Sequence, residues 1–459
     1  MTDLNDISVE DLVVVLDLGS SKFRAAAGVR CKDEEGRDCV ELLCYISDSS
    51  QGVKRGRVYN LETSAFVIKN LLVKLENQLN KLFNEEREAD SRIKLKIRKV
   101  CVGLNGKSIK TTENQVLRSL GSEQKEVTME LMESLYEEAK GIKMVDSEIL
   151  KIVPQEFSID DEDELNPIGC LANRISGRYK IVSGDVSLRK NLEACVKRAG
   201  YELMESPLSI EASAASVLSQ EEKNAGCAIF DFGGGTTSVA VYSRGVLRNL
   251  LVAPFGGNVI TSDIASLKMP EGMAERLKVL YGSTLPDKTD DVDYVVGNIT
   301  VNSRFLSEII ESRMDEIFDS IWQYLESTHA LCHINEIVLT GSASKLKNLQ
   351  EKIVLSTGVD VRIGKPNYGH VLLEDDSFKS FASNPEFAQV LGLLEMAGGS
   401  CVQDVTHVSM EEMTDTVRRQ VKKTVSKTEQ PKQKGLFDRI KSTIVGIADS
   451  VYYDEENKK

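Results

Sequence analysis

The sequence predicts an α/β protein built from two related domains that face each other across a cleft. Three stretches predict it. "VVVLDLGSSKFRAAAG" (Val13 to Gly28) and "CAIFDFGGGTTSVAVY" (Cys227 to Tyr242) share one pattern: a buried apolar strand, an Asp, a glycine turn with hydroxyl side chains, then a second strand. The third, "INEIVLTGSASKLKNLQEKI" (Ile334 to Ile353), reads as strand, Gly turn and amphipathic helix, with Leu346, Leu349 and Ile353 on one side.

Composition bounds what such a cleft serves. With 459 residues, 41% hydrophobic and 28% charged, the chain is long enough for two or more cored domains. A net charge of -14 argues against nucleic acid as a partner, for which a basic surface is the usual footprint. The opening "MTDLNDISVEDL" is acidic and lacks an apolar segment, so no signal peptide is expected, and no apolar run reaches spanning length. The nine cysteines are scattered without CxxC or Cys/His spacing; they read as reduced thiols of a cytosolic protein, with no zinc site.

The duplicated turn carries the chemistry. A two-residue turn would join the strands with less conformational cost than three consecutive glycines, and a loose hairpin explains one such turn more readily than two. Glycine lets successive backbone N–H groups converge on an anion, and hydroxyls add donors suited to phosphate oxygens. The first loop offers Asp17, Gly19, Ser20, Ser21 and Lys22, the last as a point charge; the second offers Asp231, Gly233, Gly234, Gly235, Thr236 and Thr237. Asp17 and Asp231, at strand ends, are placed to hold a hydrated Mg²⁺, although either residue also serves as a turn-former. A P-loop requires Gly-Lys-Ser/Thr opening a helix, and a dinucleotide fingerprint requires GxGxxG before a helix. Both stretches here run on into β-patterned residues instead.

These loops, followed in order by the Gly turn at Gly341, resemble the actin-like ATPase superfamily. "VPQEFSID" (Val153 to Asp160) with "NPIG" (Asn166 to Gly169), "FGGNVITSDIA" (Phe255 to Ala265), "AERLKVLYG" (Ala274 to Gly282) and "VRIGKP" (Val361 to Pro366) narrow the resemblance to the FtsA family of bacterial cell division. It runs from about Val13 to about Leu394. Two departures stand out: Ser342 follows Gly341 where the family usually has glycine, and Ile210 replaces the family's Pro before the connecting helix in "LSIEASAASVL".

The resemblance implies an actin-like fold with a first domain over 10–205, interrupted at about 107–174 by an FtsA-type subdomain for self-association and divisome contacts. That subdomain carries the helix "VTMELMESLYEEAKG" and the strand "ILKIVPQEFSI". A second domain over 206–398 includes a mostly helical subdomain at about 257–330. Leu61 to Phe83, with Ile68, Leu71, Leu72, Leu75, Leu79 and Leu82 at helical spacing, reads as a core helix followed by a solvated charged loop. Mg-ATP is implied between the domains, with Gly341, Ser342, Glu275 and Lys278 near the adenosine; an exposed i,i+3 ion pair is the plainer reading of Glu275 and Lys278. The water-activating residue is left unassigned, and at most slow ATPase activity is expected. Arg313 and Glu316, one turn apart in "NSRFLSEIIESRMDEIFDSIW", correspond to the family's contacts with the C-terminal peptide of FtsZ, or form a surface ion pair.

Beyond Gly398 the chain becomes polar. Residues 399–434 read as a flexible basic linker, and 435–453 as an amphipathic helix with Leu436, Phe437, Ile440, Ile444, Ile447, Ala448 and Val451 on its apolar side. Too short and polar to span a bilayer, it suits an anionic membrane surface or docking on its own core. Together these features imply an ATP-binding adaptor, assembling into filaments, that anchors the FtsZ ring at the cytoplasmic face of the membrane. A pilus-assembly adaptor and a small-molecule kinase of the same superfamily are the alternatives.

Overall fold

Each half of the molecule is organised by one of the two hairpins. In the computed structural model, which describes residues 7–406 apart from 86, 89, 90, 165, 298 and 367–369, Leu12–Leu18 pairs antiparallel with Lys22–Lys32, and Cys227–Phe232 with Thr237–Ser243. The registers close at Leu18 opposite Phe23 and at Phe232 opposite Thr237, so the two turns hang from equivalent strand ends. The flexible linker expected over 399–434 starts later than that: Val402–Asp404 pairs antiparallel with Leu95–Ile97, Cys401 and Val402 are buried, and Cys401 N donates to Leu12 O at 3.0 Å, so ladder bonds and apolar burial hold this stretch on the first half. The rest of the expected linker, beyond residue 406, and the amphipathic helix expected at 435–453 lie outside the described residues.

All seven residues of Leu12–Leu18 are buried, because both faces of its sheet are covered. Leu12, Val14 and Leu16 face a core shared with the helices Leu61–Asn84 and Val186–Ala199. Val13 and Val15 face the opposite side, against Val390, Leu391 and Leu394 of the helix Ala388–Met396. The helix Leu61–Asn84 buries Ile68, Leu71, Leu72, Leu75 and Leu79, as its spacing predicts, and Asn60 caps it through an Oδ1 that accepts from Thr63 N at 3.1 Å. In the second half, Phe230 and Phe232 pack on Ile310, Ile317 and Ile321 of the long helix Ser303–Ser327.

The first sheet runs, in spatial order, Glu202–Glu205, Lys99–Val102, Leu12–Leu18, Lys22–Lys32, Asp38–Ser49 and Val371–Leu372. The second has nine strands: Glu162–Glu164, Ser147–Ile159, Arg174–Asp185, Lys110–Ser119, Val246–Ala253, Thr237–Ser243, Cys227–Phe232, Glu336–Thr340 and Asp360–Ile363. The inserted segment of the first domain therefore continues the sheet of the second half. Its own small core joins Val116, Leu135, Ala139, Ile152, Ile175 and Tyr179, with Leu135 and Ala139 on the helix Met129–Lys140. The boundary expected near 174 falls at the first residue of Arg174–Asp185, whose ladders with Lys110–Ser119 and Ser147–Ile159 carry this layer on to Asp185. One residue pair, Leu251 opposite Lys110, makes the seam to the second half, with Val252 N donating to Ile109 O at 3.1 Å.

The segment of 257–330 is mostly helical, as expected, with Gly257–Ala265, Glu271–Tyr281 and Ser303–Ser327, and adds a hairpin of Asp293–Val296 and Ile299–Asn302. The helix expected directly after Gly341 begins later, at Leu349–Thr357. A single 3-10 turn, Ser342–Lys345, follows Gly341, but Lys347 then bridges Ser283, its O accepting from Thr284 N at 3.0 Å, and Asn348 takes φ 64°, so the chain is held off the helical path until Leu349.

Two short helices, Ser209–Val217 and Ala388–Met396, cross between the halves. A Cβ on Gly392 would stand 1.8 Å from Ala212 O, so the backbones meet where neither residue offers bulk. Gly392→Ala is expected to lower stability by about 1–3 kcal/mol through overpacking, despite alanine's better helix propensity. The midpoint of urea unfolding checks this, and a rise would show that the crossing has room.

Candidate functional site

The glycine turn of residues 233–236 is held open by its neighbours. Gly233 N donates to Thr236 O at 3.0 Å, while the carbonyls of Gly233 and Gly234 accept from Gly257 N at 2.9 Å and Asn258 N at 2.7 Å. Those two donors open the helix Gly257–Ala265, so the turn's oxygens cap a helix N-terminus. None of Gly19, Gly233, Gly234 and Gly235 has positive φ, so these turns need glycine for space and not for a left-handed backbone. A Cβ on Gly234 would lie 2.1 Å from Ser21 Oγ, and one on Gly235 would lie 2.4 Å from Ser20 Oγ. The two hairpin turns, from different sheets, abut directly.

Between them lies a cavity of about 580 Å³. It is lined by Asp17, Gly19, Ser20, Ser21 and Lys22 from the first turn, Asp231, Gly233, Gly234, Gly235 and Thr236 from the second, and Glu275, Lys278, Gly341 and Ser342 further along. Of the residues expected there, Thr237 is the exception. Strand alternation turns its side chain into the core, where it is wholly buried and its hydroxyl donates to Phe255 O at 2.9 Å; Ser238 lines the cavity in its place.

The polar atoms of the cavity are tied to one another across the halves. Ser21 Oγ donates to Asn258 Oδ1 at 3.0 Å, and Asn105 Nδ2 donates to Thr236 Oγ1 at 3.3 Å. Gly341 takes φ 84°, and a Cβ there would meet Asp231 Oδ1 at 2.3 Å; this turn does require glycine. Lys278 and Glu275 do not form an exposed surface pair. Lys278 is buried, and its Nζ donates to Glu275 Oε2 at 2.6 Å, Thr261 Oγ1 at 2.9 Å and Gly257 O at 2.9 Å. Val279 and Leu280 bring apolar surface to the same wall.

Asp17 and Asp231 form the buried floor. Arg24 Nη1 donates to Asp17 Oδ2 at 2.9 Å and Gln389 Nε2 to Asp17 Oδ1 at 2.7 Å, while Ser213 Oγ donates to Asp231 Oδ2 at 2.7 Å. Burial raises both carboxyls above the usual range, that of Asp17 against the opposing pull of Arg24 and that of Asp231 to about 6. These donors already occupy oxygens on each carboxylate, so the pair fits a hydrated cation better than one ligated directly.

Arg24, Gln389, Asn105, Asn258 and Glu386 also line the cavity, and the sequence reading missed them. For Arg24 a signal was available: two residues after Lys22 on a strand, it faces the same side. Lys22 itself pairs with Glu386 Oε1 at 3.0 Å. Arg313 and Glu316 lie on Ser303–Ser327, outside the cleft. Arg313 Nε and Nη2 donate to Asp263 Oδ2 at 2.6 Å and Oδ1 at 3.1 Å, and its Nη1 meets Glu316 Oε2 at 2.5 Å.

The raised carboxyl of Asp231 has a sign that can be worked through. Its folded value lies above the unfolded one, so the folded chain holds the proton more tightly and loses stability as pH rises from about 4 to about 6. In magnesium-free buffer, Asp231→Asn is expected to unfold at higher urea than the parent at pH 7, by about 3 kcal/mol, with the gap closing towards pH 4. A gap independent of pH would show that the carboxylate is not strained.

The described geometry can be set beside known proteins. A family model for cell division protein FtsA matches residues 228–392, and one for the SHS2 domain inserted in FtsA matches 106–183. Cell division protein FtsA of Borreliella burgdorferi is 30% identical over 397 residues, covering 84% of this chain and 90% of that protein. The Escherichia coli K12 protein of the same name is 29% identical over 401 residues, covering 83% and 89%. Among solved structures, a PilM-PilN type IV pilus biogenesis complex aligns over 83% of this chain and 97% of its own with a TM-score of 0.56 at 17% identity, a likeness of fold. With its actin-like fold, its SHS2 insertion and relatives of this identity along most of its length, the chain belongs to the FtsA family of cell division proteins.

Proposed function

We propose that this chain binds Mg-ATP in the cleft and ties the FtsZ ring to the cytoplasmic face of the membrane, self-associating there and helping to recruit other division proteins. The observation that carries the nucleotide half is the pair of abutting hairpin turns, where four glycines leave room that any Cβ would fill. In this reading the first turn from Gly19 to Lys22 and the second from Gly233 to Thr236 take the phosphates. Gly341, Ser342, Glu275 and Lys278 lie toward the adenosine, with Val279 and Leu280 as an apolar wall for the base. Asp17 and Asp231 would hold magnesium through water, and the ion would neutralise phosphate charge. No catalytic residue is assigned, and at most slow hydrolysis is proposed.

The partner half rests on the long helix and on the C-terminal sequence. Arg313 and Glu316 are proposed to meet the C-terminal peptide of FtsZ. Arg313 also braces two helices through Asp263, so reversing its charge would place repulsion inside the subdomain; Glu316, with its side chain 61% exposed, is the cleaner probe. Residues 435–453 would lie in the surface of an anionic membrane, since the basic linker before them gives reach and headgroup attraction of about 1 kcal/mol per charge.

Gly234→Asp is expected to abolish ATP binding by calorimetry in a chain that still folds, with a lowered urea midpoint because the new Cβ presses on Ser21 Oγ; wild-type affinity would remove the phosphate assignment. The adaptor reading is tested by flotation with anionic vesicles, ATP and FtsZ. Full-length protein is expected to carry FtsZ to the lipid layer. A chain ending at Gln430 should bind ATP and stay at the bottom, and Glu316→Lys should float without FtsZ. Flotation of the shortened chain at full yield would place the anchor elsewhere, and undiminished FtsZ on the Glu316→Lys protein would place the peptide site elsewhere.

A further inference from the structure

Glu386 occupies an unusual position in the cleft. Its carboxylate is largely buried and accepts from three cationic side chains: Lys22 Nζ at 3.0 Å and Arg24 Nη2 at 2.7 Å on Oε1, and Lys345 Nζ at 2.9 Å on Oε2. Lys22 and Arg24 come from the first hairpin, and Lys345 from the turn Ser342–Lys345 of the second half. All four line the cavity. The carboxylate is carried on a fixed support, because Pro385 O accepts from Thr340 Oγ1 at 3.2 Å and from Gly341 N at 3.3 Å, while Glu386 N donates to Asn384 Oδ1 at 3.1 Å. Burial pushes this carboxyl up, but the bonds from Lys345, Lys22 and Arg24 outweigh it and hold it down at about 2, so it is ionised at neutral pH.

A cluster of three cations around one small anion, in a cavity with a run of three glycines on one side and the hydroxyls of Ser20 and Ser21 on the other, describes a polyphosphate site with its own carboxylate in the seat. We propose that Glu386 is a built-in competitor for polyphosphate: it latches Lys22 to Lys345 across the cleft, and an entering polyphosphate must take those cations from it. This deepens the nucleotide reading and rests on it. Two consequences follow from charge alone. Glu386 repels each phosphate that approaches, so it lowers affinity for triphosphate most and for an uncharged nucleoside not at all. Its displacement also frees Lys345 from the first hairpin, so filling the phosphate site loosens one tie between the halves while the phosphates supply another.

The test compares wild type with Glu386→Gln, which keeps size and one acceptor but removes the charge, against ATP, adenosine and inorganic tripolyphosphate by calorimetry. The variant is expected to bind ATP and tripolyphosphate about tenfold more tightly or better, with adenosine affinity unchanged. In the nucleotide-free variant, amide exchange at the turn from Ser342 to Lys345 should quicken relative to wild type. Equal or weaker ATP and tripolyphosphate binding by a folded variant would overturn the proposal, because a merely structural carboxylate predicts no gain. A rise for adenosine as large as that for ATP would also overturn it, since it would report general opening of the pocket. The two readings separate cleanly. If wild type and variant bind neither ATP nor adenosine, yet the variant gains tenfold for tripolyphosphate, the competitor stands and the nucleotide assignment falls; if tripolyphosphate is indifferent too, both fall.

Discussion

The close approach of two hairpin turns, Ser20 and Ser21 against Gly234 and Gly235, is the constraint on which the rest of the molecule depends. The turns come from different sheets and from residues more than two hundred positions apart in the chain, as the bond from Ser21 to Asn258 illustrates. They meet only if both sheets are fully built and the crossing helices Ser209–Val217 and Ala388–Met396 are seated. A site assembled from such distant parts reports on the arrangement of the whole fold, which suits the nucleotide-binding role proposed for the cleft.

The floor of the cleft concentrates charge that a stable protein would avoid burying. Two carboxylates, an arginine and a glutamate sit below or beside the turns, with burial opposing the charged forms of both aspartates. Pairing answers part of this: Arg24 bridges Asp17 and Glu386, and Ser213 and Gln389 supply neutral donors. Asp231 accepts from Ser213 and makes no salt bridge among the described residues, so burial acts on it with less direct pairing. In the proposed reading, this buried negative charge is what a cation entering with the ligand would offset.

Much of this architecture was legible because it is periodic or repeated. The duplicated strand, Asp and glycine grammar placed both hairpins and ten of the eleven residues read from them in the cavity lining, since a pattern used twice constrains both copies, while Glu275, Lys278, Gly341 and Ser342 were reached only through the family resemblance. The helix Leu61–Asn84 was legible from its apolar spacing. What escaped was contact between distant segments. Thr237 was misplaced because the last residue of a turn and the first of a strand look alike in sequence, while strand parity decides which way the hydroxyl points. Glu386 and Gln389 stand in "SNPEFAQVL", which has no motif of its own; Glu386 reaches the cleft through Pro385, whose carbonyl is held by Thr340 and Gly341, and Gln389 through the helix Ala388–Met396. The late start of Leu349–Thr357 was hidden for a similar reason: residue 347 is claimed by a bridge to Ser283 that local propensity does not announce.

The seam between the inserted layer and the second half is a single residue pair, Leu251 with Lys110, buttressed by side chains: Thr111 Oγ1 to Asn249 Oδ1 at 2.9 Å, Gln155 Nε2 to Leu247 O at 3.0 Å and Arg248 Nη1 to Gln155 Oε1 at 3.1 Å. The strand Val246–Ala253 on which these bonds land lies beside Thr237–Ser243, which begins where the glycine turn ends. Mechanically this is a short load path. Two neighbouring strands therefore separate the insertion from the glycine turn, and any change in the tilt of the insertion has only one ladder pair and these side chains through which to reach it.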